Sequence, residues 1–67
     1  MIAILVNGKP LELPEGTTAA GMVEQLGLAG RPLAVEVNAE VVPRAALAEQ
    51  ALAEGDRVEI VTLVGGG

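Results

Sequence analysis

The sequence predicts an α+β domain: a mixed sheet of about five strands with one main helix packed on one of its faces. Three observations carry that prediction. Strand-like segments stand on both sides of a single segment with helical periodicity. The apolar fraction, 51%, is wholly aliphatic because Phe, Tyr and Trp are absent, so the core must be built from Val, Leu, Ile, Ala and Met. With 67 residues, the chain has room for one domain, near the lower limit at which a hydrophobic core alone holds a fold.

The opening MIAILVN is β-branched and apolar enough for a strand buried on much of both faces, and GKP supplies turn chemistry before a second strand, LELP. Alternation places Ile2, Ile4 and Val6 on one face, continued by Leu11 and Leu13, which gives a β-hairpin. In EGTTAAGMVEQLGL, Thr17 or Thr18 can cap a helix and Gly27 sits where a left-handed C-terminal residue is wanted. Ala19, Met22, Val23 and Leu26 recur at three and four residues, one stripe facing the hairpin. Gly21, inside this helix, is read as a tolerated defect rather than a point of close backbone approach.

RPLAVEVN alternates Leu33, Val35 and Val37 with Ala34, Glu36 and Asn38, a third strand with one wet face. VVP is a brief fourth strand that Pro43 ends, as suits a sheet edge. RAALAEQALAEGD has high helix propensity, but Leu47 and Leu52 lie about 140° apart around a helix, so one regular helix cannot aim both at the core. A short helical turn followed by an extended piece is expected. EGD makes the next turn, and RVEIVTLV is the last and longest strand, with Val58 and Ile60 inward.

Charge and composition exclude much. Nine acidic and four basic residues give a formal charge of −5, which repels phosphate backbones and anionic lipid, so neither nucleic acid nor membrane is an expected partner. The absence of Cys and His removes thiolate nucleophiles, the usual general base and the commonest metal ligands. No metal, bound cofactor or catalytic residue is expected. Glu12, Glu15, Glu36, Glu40, Glu49, Glu54 and Glu59 read as a solubilising acidic surface that could also meet a basic partner. The first residues lack the basic flank and cleavage site of a secretory leader, and no apolar run is long enough to span a bilayer, so a cytoplasmic location is expected.

Two features remain. If Val58 and Ile60 face inward, Val61 and Leu63 fall on the other face, where an apolar pair is either a contact surface or is covered by a loop or a slip of phase. Arg44 could contact a partner, although an exposed Arg more commonly only solvates a surface. The sequence then closes on Gly65, Gly66 and Gly67. One reading is a frayed end. The other is a tail that carries its carboxylate into a narrow slot of another protein, since glycine without Cβ fits a tight channel and leaves the carbonyl unhindered. A carboxylate must be activated before acyl transfer, most simply as an acyl-adenylate. The ATP site would belong to a partner, because this chain has no phosphate-binding glycine loop after a strand.

Taken together, the hairpin start ILVNG, the central AVEVN, VVPR, EGDRVEIV and the terminal GG resemble the sulfur carrier protein family of thiamine biosynthesis, ThiS, over the whole chain. The resemblance implies a ubiquitin-like β-grasp domain over 1–64 and a flexible glycine tail over 65–67. It also implies a carrier, not an enzyme. By that resemblance, a ThiF-like adenylyltransferase is expected to activate Gly67 with ATP, sulfur from a donor protein to replace the adenylate and leave a thiocarboxylate, and a ThiG-like thiazole synthase to take the sulfur. Gly66 matches the penultimate family glycine, and Gly65 stands where several relatives carry Ala. The same chemistry is compatible with another acceptor (molybdopterin, a thiolated tRNA or a lysine of another protein), and a passive ubiquitin-like interaction module is the alternative of a different class.

Overall fold

The structure is a computed structural model that describes residues 1–63. Five strands and one α-helix follow in the order β1 (Ile2–Val6), β2 (Lys9–Leu13), α1 (Ala19–Gln25), β3 (Leu33–Val37), β4 (Glu40–Val42) and, after a 3₁₀ helix at Arg44–Glu49, β5 (Arg57–Thr62). The sheet order is β2-β1-β5-β3-β4. β1 and β5 run parallel and every other pairing is antiparallel, so the sheet is mixed as expected, with the last strand at its centre.

Two-residue turns build both hairpins. Asn7 and Gly8 (φ 50 and 82) join Val6 to Lys9, and Asn38 and Ala39 (φ 52 and 70) join Val37 to Glu40. Positive φ at both central positions matches the right-handed twist of the flanking strands. Asn accepts that conformation readily; Ala39 does so under strain. The second turn carries no glycine, and the asparagines that sequence patterning assigns to strand ends are turn residues.

The core is one aliphatic cluster. Ile2 and Ile4 from β1, Leu13 from β2, Met22 and Val23 from α1, Val35 and Val37 from β3, Val42 from β4, Leu52, and Val58 and Ile60 from β5 are all buried. Ile2, Ile4, Leu13, Val35, Val37, Val58 and Ile60 are positions expected on the inner face, while Val6 and Leu11, expected beside them, are only partly buried. β1 departs from expectation in being buried on one side only: Ala3 is half-buried and Leu5 is exposed on the far face. The sheet has a single covering layer, which leaves the second face of its strands wet.

Helix α1 starts as expected at Thr18, whose hydroxyl accepts from the Gly21 N–H at 3.2 Å. Thr17 has a different task, donating its hydroxyl to the Pro14 carbonyl at 2.6 Å. At the other end Leu26 leaves the predicted stripe and is exposed. The helix closes with paired bonds from Gly27 N–H to the Glu24 carbonyl and from Leu28 N–H to the Val23 carbonyl, both 3.0 Å, while Gly27 takes φ 74. That C-terminal motif swings the next apolar residue back onto the helix. Leu28, partly buried against the core, therefore fills the place predicted for Leu26.

The segment after β4 behaves as its leucine spacing requires. Leu47 packs from the 3₁₀ helix, and the chain then extends so that Leu52 enters the core. A bridge between Thr18 and Ala51 holds this extended piece, with Ala19 N–H bonded to the Gln50 carbonyl at 2.8 Å and Leu52 N–H to the Thr17 carbonyl at 3.0 Å. The EGD turn is tied to β1: the Glu54 carboxylate accepts from Ala3 N–H at 2.9 Å, and Gly55 N–H donates to the Ala3 carbonyl at 2.8 Å. Glu54 is thus a fastening and not only a surface charge.

Candidate functional site

β5 carries Val61 and leads directly to Leu63, two of the residues that the sequence singles out. It emerges from the EGD turn, runs between β1 and β3, and ends at Thr62, just before the residues singled out in the tail. The strand predicted over 57–64 is shorter at its end, although Leu63 N–H still reaches the Pro32 carbonyl at 2.9 Å. Val64, Gly65, Gly66 and Gly67 lie outside the described residues.

The phase of β5 is the predicted one. Val58 and Ile60 are buried, while Val61 is 57% and Leu63 is 52% exposed. Neither a slip of register nor a covering loop accounts for this pair among the described residues: Val61 lies opposite Ala34 in the β3–β5 ladder, and both side chains stay more than half exposed. Val41, 67% exposed on β4, and Leu5 on β1 share their face. The outer face of the sheet therefore carries several exposed apolar side chains, two of them at the end of β5.

The charges on this face are unevenly placed. Glu36 and Glu59 stand directly opposite one another across β3 and β5, a pairing of like charges that sheets usually avoid. Together with Asn38, Ala39 and Arg57 they line a shallow depression. Arg44, the third predicted contact, is exposed at the start of the 3₁₀ helix, an element that packs against α1 on the covered side. Val61 and Leu63 thus share one surface, and Arg44 belongs to another.

Sequence reasoning missed the two residues that hold β5 by its backbone. Asn38 N–H donates to the Arg57 carbonyl at 2.7 Å and its Oδ1 accepts from Arg57 N–H at 3.0 Å, with Nδ2 on Asp56 at 3.1 Å. Asn7 N–H donates to the Val58 carbonyl at 2.9 Å, and its side chain takes both backbone groups of Ile60, accepting from N–H at 2.8 Å and donating to C=O at 3.1 Å. Their sequence signal is the repeated Val-Asn before a small residue, in VNG and VNA, which shows a turn but not what the amides reach.

Among the described residues no cluster of three or more Asp, Glu, His or Cys is placed to hold a metal ion, and no helix is long and apolar enough to cross a membrane.

Comparison with known proteins supplies the remaining observation. The model of the ThiS family matches residues 4–67. A crystal structure of the thiamine biosynthesis protein ThiS from Geobacter metallireducens superposes with a TM-score of 0.83 at 32% identity, over 98% of this chain and 100% of that one. The chain is also 36% identical over 64 residues to a thiazole synthase of Paramagnetospirillum magneticum and 41% identical over 64 residues to one of Magnetococcus marinus. It spans 20% of the length of each of these two relatives.

Proposed function

The chain belongs to the ThiS family and has its ubiquitin-like β-grasp fold, and on that premise we propose that it is a sulfur carrier of thiamine biosynthesis that works through the carboxylate of Gly67. The observation that carries this reading is the extent of the family match. It runs through residue 67 and so includes Gly65, Gly66 and Gly67.

The chemistry follows from the carboxylate. One of its oxygens attacks the α-phosphorus of ATP on a ThiF-like adenylyltransferase; the bond to the β-phosphate breaks and pyrophosphate leaves. Hydrosulfide released by a donor protein then attacks the acyl carbon and gives up its proton, the bond to AMP breaks and AMP departs, and Gly67 ends in a thiocarboxylate. Sulfur passes to the substrate of a ThiG-like thiazole synthase, and water restores the carboxylate. The carrier is a co-substrate throughout and binds no cofactor of its own; ATP belongs to the activating enzyme. Gly66 and Gly65 give Gly67 access to a narrow channel. The outer face around Val61 and Leu63 is the docking surface in this reading, and a cytoplasmic setting suits an ATP-dependent activation. The two relatives that are named thiazole synthase and contain a stretch similar to this chain favour thiazole formation over another sulfur acceptor.

The test is pyrophosphate release from ATP by a ThiF-like adenylyltransferase in the presence of the full chain, a chain lacking Gly67 and a chain extended by one alanine. Activation of the full chain alone is expected. Equal activity with the extended chain would contradict the assignment of Gly67 as the acyl site.

A further inference from the structure

Asn7 and Asn38 make a matched pair with unequal reach. Each is the first residue of a two-residue turn, each has left-handed backbone (φ 50 and 52), and each grips β5 through its amide. Asn38 holds the entry of the strand, at Asp56 and Arg57. Asn7 holds it at Ile60, two residues before the strand ends.

That difference matters because of where β1 stops. Its parallel ladder with β5 pairs only Leu5 with Arg57 and Val6 with Val58. The Asn7 side chain then takes the place of a further strand residue, offering one acceptor to Ile60 N–H and one donor to Ile60 C=O as a ladder neighbour would. On the opposite side the end of β5 is held by β3 as far as the Leu63 to Pro32 bond. Without Asn7, the stretch that leads to the glycines would be fastened from one side only.

Glycines have no side chain with which to keep a direction. The last described backbone groups held in the sheet, those of Ile60 and Leu63, fix the direction in which β5 ends. From this geometry we infer that Asn7 is a positioning residue, whose amide fixes the line along which β5 delivers the tail to the activating enzyme. The inference rests on the carrier reading for its functional consequence and on the hydrogen bonds alone for its structural one.

The experiment compares Asn7→Gly with Asn38→Gly in the full chain. Glycine accepts the positive φ at both positions, so each variant removes side-chain bonds without adding strain. With a ThiF-like adenylyltransferase, Asn7→Gly is expected to lower kcat for tail adenylation about ten-fold with KM within about two-fold, because docking survives while alignment is lost. Asn38→Gly is expected to leave both constants within about two-fold. An equal fall in both variants would mean general loosening of β5 and overturn the inference, as would an unchanged kcat in Asn7→Gly. A second measurement needs no enzyme: amide exchange by NMR should quicken at Ile60 and Leu63 in Asn7→Gly but not in Asn38→Gly. Unchanged protection at both amides in Asn7→Gly would likewise overturn it. A wild-type chain that is not adenylated would overturn the carrier reading instead, and the exchange measurement would then decide the role of Asn7.

Discussion

Ala39 occupies a left-handed position in the second hairpin turn with φ 70, where the first hairpin has Gly8 at φ 82. Strain of about 1–2 kcal/mol at an L-residue exceeds the extra chain entropy of glycine, so Ala39→Gly should stabilise the fold by about 0.5–1 kcal/mol in urea unfolding. The opposite exchange is favourable at Gly21. A Cβ there would meet Thr17 Cγ2 at 3.4 Å and the Thr18 hydroxyl at 3.6 Å, ordinary contacts that need no rearrangement. Gly21→Ala should therefore raise stability by about 0.5–1 kcal/mol, and a loss would show that the helix needs a bare backbone there. Residues also mark where sequence was readable. The Thr18 cap and Gly27 followed from local chemistry, whereas the exchange of Leu26 for Leu28 depended on how the helix end folds back, which spacing alone does not encode.

At the scale of elements, alternation was enough to place the inward residues of β3 and β5, because a half-covered sheet leaves one face to water; in β1 it named Ile2 and Ile4 but not the exposure of Leu5, since an aliphatic run looks the same with one face covered as with two. It also placed Val61 and Leu63 outside, and the structure shows them there. The grip of Asn7 on Ile60 was not legible, since it joins positions 53 apart in sequence and no local pattern reports it. The same holds for Glu54 on Ala3. On the outer face, the opposed Glu36 and Glu59 put a repulsion into the centre of the sheet. Glu36→Lys should stabilise the domain by a few tenths of a kcal/mol, roughly 0.2–1, and the gain should shrink as salt is added. Replacing Val61 and Leu63 by serine should leave the thermal transition within about 2 °C, as expected for exposed positions, and weaken capture by the adenylyltransferase at least about ten-fold. Unchanged capture would move the docking surface elsewhere, with Arg44 on the covered side the next candidate.

The whole molecule divides its labour between a scaffold and an end. An aliphatic core shared by one helix and the inner face of the sheet holds the domain; in the proposed reading the outer face and β5 present the tail to a partner. Sequence could outline the scaffold because its aliphatic residues, with no aromatics among them, leave few other ways to build a core. Deleting the three terminal glycines should leave the urea midpoint unchanged and abolish activation, which separates the carrier from a passive module that would bind its partners equally well without them. The most direct test is the intact mass of the full chain after incubation with ATP, a ThiF-like adenylyltransferase and a sulfur donor. The carrier account predicts one oxygen exchanged for sulfur, confined to the fragment ending in Gly67. An unchanged mass, with an enzyme that thiolates another ThiS protein under the same conditions, would contradict it.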